Sequence, residues 1–242
     1  MKNTITFHTG QAVPLDRDNV DTDQIIPKQF LKSIKKSGFG ENLFDAWRYE
    51  DEGFPGQDVS KRKLSENFIL NQSRFLDSDI LISKKNFGCG SSREHAVWSL
   101  MDYGFRVVIA ESFADIFYNN CFNNGLLPIV LSSNEIDKLL ALSHERKIIE
   151  IDLENQVIFS EDSQVAQFEI DPFRKKCILE GLDEIGLSLT HSEQIKEFEK
   201  KRALDSPWIF INEKKKWISS NKFLYCLVMA SDLKSVMKLE KF

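Results

Sequence analysis

Ile80-Leu81-Ile82, then Asn86-Phe87-Gly88-Cys89-Gly90-Ser91-Ser92-Arg93-Glu94-His95, then Arg106-Val107-Val108-Ile109-Ala110: these three runs, within residues 80–110, decide the fold. The first is a short apolar run bounded by polar residues, the second a glycine turn, and the third a β-branched strand. Between the turn and the last strand the pattern predicts a helix running to about Tyr103, with Gly104 as its C-terminal stop. Strand, turn, helix and strand make a βαβ unit.

The same rhythm continues outward. Phe113 to Phe122 reads as a second helix, Asn123-Asn124-Gly125 ends it, and Leu126-Leu127-Pro128-Ile129-Val130-Leu131 is a third strand. Alternation of this kind argues for an α/β core. Ser132 to Glu135 has capping-box spacing ahead of the helical stripe Ile136, Leu139 and Leu140. Ile148 to Leu153 and Gln156 to Phe159 flank Glu154-Asn155 as a hairpin, and Asp171 to Glu180 and Ser192 to Arg202 are the last helices. Upstream, residues 1–15 predict an opening strand, followed by a loop, Asp16-Arg17-Asp18-Asn19-Val20-Asp21-Thr22-Asp23, with four Asp in eight residues. Residues 28–63 predict loops and short helices, broken by Gly38, Gly40, Gly53 and Gly56. The main domain is expected over 1–207. Residues 208–242 form an extension, with seven Lys against three acids from Ile209 onward and an apolar patch, Phe223 to Met229.

Composition narrows the function. With 42% hydrophobic residues in 242, the chain has ample material for a core. The 19 Phe against 4 Tyr and 4 Trp suit packing better than stacking on nucleic-acid bases. A net charge of -5 and a pI of about 5.5 provide no field that draws the chain to nucleic acid or to anionic lipid. No stretch approaches the roughly 18 apolar residues of a membrane span, and the N-terminus lacks a signal-peptide core, so a cytoplasmic location is expected. Cys89, Cys121, Cys177 and Cys226 stand far apart, without C-x-x-C or His at ligand spacing, so no metal or iron–sulfur cage is expected on this chain.

Gly88 and Gly90 let the backbone turn sharply ahead of a helix whose unpaired N–H groups favour a negative ligand, a carboxylate or phosphate. Arg93, expected in the first helical turn, can grip a carboxylate with two parallel hydrogen bonds, and Ser91 and Ser92 add hydroxyls. The plain alternative is a strand-to-helix turn with Ser91 as a cap and Arg93 in a surface pair. A dinucleotide fingerprint needs a third glycine where Arg93 stands, a P-loop needs Gly-Lys-Ser/Thr, and a hydrolase elbow needs glycines where Cys89 and Arg93 flank Ser91. His95 stands four residues after Ser91 and could serve as its base, although a helix histidine more often satisfies a neighbour. The aspartates of 16–23 lack calcium-loop spacing.

Taken together, Asn19-Val20-Asp21-Thr22-Asp23-Gln24-Ile25-Ile26-Pro27, the glycine-turn run through Ala96, Ser112-Phe113-Ala114-Asp115-Ile116-Phe117 and Asn124-Gly125-Leu126-Leu127-Pro128 resemble the 3-isopropylmalate dehydratase small-subunit family, within the wider aconitase-like group. The likeness extends over about residues 1–207 and includes Gly181 to Leu187. It implies an α/β swivelling β/β/α domain, like the aconitase C-terminal domain, that closes over a large subunit with a four-iron four-sulfur cluster. The implied reaction interconverts 2-isopropylmalate and 3-isopropylmalate through isopropylmaleate, in leucine biosynthesis. By the same resemblance Ser91 matches the catalytic base, Ser92 and Arg93 match residues that hold a substrate carboxylate and line an oxyanion site beside Gly90, and Asp23, next to Thr22, matches an active-site acid.

Elimination of water from a hydroxy acid needs a base, a carboxylate clamp and a Lewis acid for the departing hydroxide. This chain has candidates for the first two, and the third is expected from the partner. After the Asp-rich loop, where aconitases present an arginine, the sequence reads Lys28-Gln29-Phe30-Leu31-Lys32-Ser33-Ile34. Phe30, Leu31 and Ile34 offer an apolar wall for an isopropyl group, or else one face of an ordinary amphipathic helix. The rivals are a small subunit for homoaconitate, citraconate or a methylcitrate-like substrate, and a module that binds a dicarboxylate or RNA.

Overall fold

The computed structural model describes residues 4–32, 37–91 and 93–210. In chain order it forms β1 (Phe7–Pro14), the one-turn helices α1 (Thr22–Ile25) and α2 (Asp45–Arg48), β2 (Ile80–Ile82), α3 (Glu94–Tyr103), β3 (Val107–Ala110), α4 (Asp115–Asn124) and β4 (Leu127–Val130). There follow α5 (Ser133–His144), β5 (Ile148–Asp152), β6 (Val157–Ser160), β7 (Ser163–Gln167), α6 (Pro172–Glu180), α7 (Glu184–Thr190) and α8 (Ser192–Asp205).

The strands make one seven-stranded sheet in the order β4-β3-β2-β1-β5-β6-β7. From β4 to β1 the pairing is parallel, and from β1 through β7 it is antiparallel. The βαβ rhythm of the sequence is therefore realised, with Ile80, Leu81 and Ile82 in register with Val107, Val108 and Ile109. These strands are apolar at every position because both faces of the sheet are covered. Val13, Leu81 and Val108 point into a core shared with Ala96, Val97 and Leu100 of α3 and Phe117 of α4. Their neighbours Ala12, Ile80, Ile82, Val107 and Ile109 point into a second core with Ile136, Leu139 and Leu140 of α5 and with Ile178 of α6.

β4 lies at the sheet edge, which is where a strand tolerates proline. Leu127 N–H donates to the Arg106 carbonyl at 3.0 Å and Leu131 N–H to the Ala110 carbonyl at 3.1 Å, so alternate position 128 faces away from β3 and Pro128 sacrifices no ladder bond.

Three local readings are corrected. The Asp-rich loop closes into α1, because the Asp21 side chain caps that helix and Gln24 returns the bond to the Asp21 N–H at 2.9 Å. The helix expected from Phe113 starts at Asp115, since Phe113 is engaged in a bridge with Phe87. The hairpin of β5 and β6 gains β7, a polar strand in which only Ala166 is buried, so its sequence carries little apolar alternation. The Ser132–Glu135 capping box is present as read. No described helix is long and apolar enough to cross a membrane.

Residues 187–242 group as a second unit, of which the end of α7, α8 and a 3-10 turn, Pro207–Phe210, are described. The extension read from residue 208, with its apolar patch, lies beyond 210 outside the described residues.

Candidate active site at the carboxyl ends of β1 and β2

The parallel partnership of β1 and β2 continues past their last regular residues, and that continuation builds the site. Leu15 N–H donates to the Ile82 carbonyl at 2.8 Å, the Ser83 hydroxyl to the Arg17 carbonyl at 3.0 Å, and Asn19 N–H to the Lys85 carbonyl at 2.8 Å. Asn19 and Asn86 both adopt left-handed backbone, φ 54° and 57°, and Asn86 Nδ2 donates to Asn19 Oδ1 at 2.8 Å. Asparagine tolerates that conformation better than other non-glycine residues. Gly88 N–H then reaches the Val20 carbonyl at 2.7 Å and Thr22 N–H the Cys89 carbonyl at 2.9 Å. On the other side, Phe87 N–H donates to the Ser112 carbonyl at 3.0 Å and Ala114 N–H to the Phe87 carbonyl at 3.0 Å. The three quoted motifs are thus laced together at the carboxyl ends of the parallel strands, where open α/β sheets bind ligands.

Glycine is required at both turn positions for different reasons. At Gly88, φ is +75° and a Cβ would stand 2.2 Å from Phe117 Cγ, inside the core. At Gly90, φ is +90° and a Cβ would make ordinary contact with the Asp21 carboxyl group at 3.4 Å and with Thr22 Oγ1 at 3.5 Å. Gly90 and Ser91 are exposed, so the turn is open to solvent.

The Asp-rich loop divides its labour. Asp21 is structural, with its carboxylate accepting from the N–H groups of Asp23 and Gln24. Thr22 is 1% exposed, and its hydroxyl donates to the Ser91 carbonyl at 3.1 Å, beneath the turn. Asp23 projects outward and forms an ion pair and hydrogen bond with Arg93. Arg93 stands at the N-cap of α3, one residue before the first turn in which it was expected, with backbone at φ -127° and ψ 113°. That extended conformation turns its side chain back over α1.

His95 packs among aromatic rings. Its ring packs edge-on to Phe39, with centroids 5.2 Å apart, and against Trp98 at 4.6 Å. Burial lowers its pKa from the ordinary 6.5, so it is neutral at physiological pH. Glu94 has a role that sequence reasoning missed: its carboxylate accepts from Asn124 Nδ2 at 2.8 Å, while Asn124 Oδ1 accepts from Trp98 Nε1 at 2.8 Å. This fastens the start of α3 to the end of α4; Asn124 lay in a quoted motif, but nothing in the spacing named its partner.

Phe30 and Leu31 lie in a 3-10 turn, Lys28–Lys32, two residues after α1. Phe30 is 7% exposed and lines a groove of about 430 Å³ with Phe39, Glu41, Phe54 and Gln57. Leu31 packs half-buried against the same core. Ile34 and Ser92, both named from sequence, lie outside the described residues.

Among the described residues no group of three or more His, Cys, Asp or Glu is arranged to hold a metal. Cys89 is half-buried in the turn, with its thiol pKa raised by burial and by the charge of Asp21, whereas Cys121 is buried in α4 and Cys177 in α6. Such dispersed thiols do not fit an iron–sulfur cage.

A glycine turn and an acidic loop laced across parallel strand ends define the aconitase-type swivelling domain, and a family model of the aconitase C-terminal domain matches residues 2–134. A second model, describing the C-terminal domain of the 3-isopropylmalate dehydratase small subunit, matches residues 184–212. The chain is 58% identical over 204 residues to the 3-isopropylmalate dehydratase small subunit of Nitrosomonas eutropha, covering 84% of this chain and 96% of that one. It is 57% identical, over the same shares, to the small subunit from Aromatoleum aromaticum. A crystal structure of 3-isopropylmalate dehydratase from Methanocaldococcus jannaschii aligns with a TM-score of 0.55 at 28% identity, covering 80% of this chain and 99% of that one. The chain belongs to the 3-isopropylmalate dehydratase small-subunit family.

Proposed function

We propose that this chain provides the base and the carboxylate clamp of a two-chain hydro-lyase that interconverts 2-isopropylmalate and 3-isopropylmalate through isopropylmaleate, in the cytoplasm and in the service of leucine biosynthesis. The observation that carries the reading is the meeting of Asp23 and Arg93 beside the exposed Ser91.

In this reading Ser91 takes the proton from the carbon adjacent to a carboxylate. A serine is a weak base unless its alkoxide is stabilised, and the N–H groups of the Gly90 turn with the Arg93 guanidinium supply that stabilisation. Arg93 grips a substrate carboxylate through its planar fork, with Ser92 beside it, and Asp23, the acidic residue of the opposite loop, holds the guanidinium ready. Thr22 supports the turn from below. Phe30 and Leu31 face the alkyl branch. A four-iron four-sulfur cluster on the large subunit supplies the Lewis acid for the leaving hydroxyl.

The test is an anaerobic hydratase assay that follows isopropylmaleate absorbance, with this chain alone and with its cluster-loaded large subunit. Activity is expected only in the mixture. Activity of the lone chain would overturn the division of labour, and an assembled complex inert toward isopropylmaleate but active on homoaconitate or citraconate would reassign the substrate.

A further inference from the structure

The stretch from Gly40 to Arg62, read as loops and short helices, contains the most deeply buried ion pair among the described residues. The side chains of Arg62 and Asp45 are each 2% exposed. Arg62 Nη1 donates to Asp45 Oδ2 and Nη2 to Asp45 Oδ1, the latter at 3.2 Å. Nη2 also reaches the Asp51 carbonyl at 2.8 Å, and Nε the Asp51 carboxylate at 3.2 Å. The guanidinium lies over the Tyr49 ring, 3.8 Å from its centroid. Such a network fixes geometry tightly, because a buried charge tolerates little departure from its partners.

What the pair holds is Gly53. Its N–H donates to Asp45 Oδ1 at 3.3 Å, and its carbonyl accepts from Gln29 Nε2 at 3.1 Å. A Cβ on Gly53 would stand 2.7 Å from each of Arg62 Nη1, Asp45 Oδ2 and Phe30 Cζ. Gly53 is therefore wedged between the ion pair and the Phe30 ring, bonded to the residue that precedes Phe30.

We propose that Arg62 and Asp45 are positioning residues for substrate size: through Gly53 they set the height of Gln29 and Phe30, and so the depth of the space left for the alkyl branch. This rests on the reading that places the 28–32 turn at that branch. Neither residue touches substrate in this scheme. Their effect is on which branch length fits, rather than on the proton transfer at Ser91.

The experiment compares isopropylmaleate with citraconate, its methyl-branched counterpart, in the reconstituted complex carrying Arg62→Lys, Gly53→Ala or Phe30→Ala. Lysine keeps the charge of Arg62 but loses the fork. Alanine at 53 keeps both charged residues and pushes on the ion pair and on Phe30 alike. The expected result is that all three variants change the ratio of kcat/KM for the two substrates by about tenfold, the low end of what one methylene is worth in an apolar pocket, mainly through KM. Hydrogen exchange of the complex is expected to quicken in the 26–32 peptide of Arg62→Lys, with the 94–103 peptide unchanged. If Phe30→Ala changes the ratio and the other two do not, the positioning proposal is wrong while the placement of the turn stands. If Phe30→Ala leaves the ratio unchanged, the placement of the turn fails. Should Arg62→Lys not assemble, Gly53→Ala decides alone: an equal loss of kcat on both substrates would overturn the proposal.

Discussion

The guanidinium of Arg93, at the head of α3, is ion-paired with the carboxylate of Asp23 in α1. Seventy residues of chain separate the two, so the contact reports the docking of the acidic loop onto the glycine turn. A substrate carboxylate that reaches Arg93 competes with, or joins, a carboxylate already there.

Arg93→Lys is expected to raise KM by tenfold or more with a smaller change in kcat, because a point charge replaces a bidentate fork. The melting temperature should barely move. The paired side chains are 22% and 47% exposed, and such pairs contribute up to about 1 kcal/mol. Steady-state kinetics and a thermal melt of the same preparation check both halves.

Ser91→Ala removes the proposed base from an exposed turn. Turnover should fall by roughly 10²-fold to 10⁴-fold while binding to the large subunit is retained. Wild-type turnover in the variant complex would refute the assignment.

Thr22→Val keeps shape and deletes the hydroxyl that donates to the Ser91 carbonyl. A stability loss of about 1 kcal/mol is expected from denaturant titration. A fall in kcat with KM little changed should accompany it, since the turn that carries Ser91 loses its support.

The two turn glycines should respond unequally to alanine. Gly88→Ala places a methyl inside Phe117 at positive φ, and a loss of about 2–4 kcal/mol is expected from overpacking added to backbone strain. Gly90→Ala meets the Asp21 carboxyl group and Thr22 Oγ1 at ordinary contact distance and should cost about 1–2 kcal/mol, from backbone strain. Equal losses in a denaturant series would contradict the packing described.

His95 gives a pH signature. Burial lowers its folded-state pKa below 6.5, so it is the unfolded chain that takes up a proton first as pH falls. Stability is unaffected by this group above the unfolded pKa and declines as pH drops through it toward the folded value. His95→Gln should therefore lose less stability than wild type between about pH 6.5 and 5, measured by chemical denaturation at each pH.

The parallel half of the fold was legible because its signals are local. β2, β3 and β4 announce themselves as short apolar runs, and Gly104 and Gly125 mark helix ends through the conformations that they alone adopt readily. β7 was not legible, since a strand with one buried residue has almost no pattern to read. The site divides in the same way. Gly88, Gly90 and Ser91 could be named from a turn, but the Asp23–Arg93 and Glu94–Asn124 contacts depend on how distant segments dock. The Asp45–Arg62 pair was hidden for another reason: charged residues among glycines suggest solvent, and only the aromatic rings closing around them make them interior.

Pro128 has a consequence that reaches beyond one chain. A sheet edge is a template on which a foreign strand can add, and β4 is the terminal strand on its side of the sheet, with Val130 as its exposed residue. Because alternate residues face outward, the donors that β4 could offer a visiting strand come from positions 128 and 130, and proline removes the first of them. The rim of the sheet is thus short of donors for any further strand, by a residue that costs the sheet no bond within.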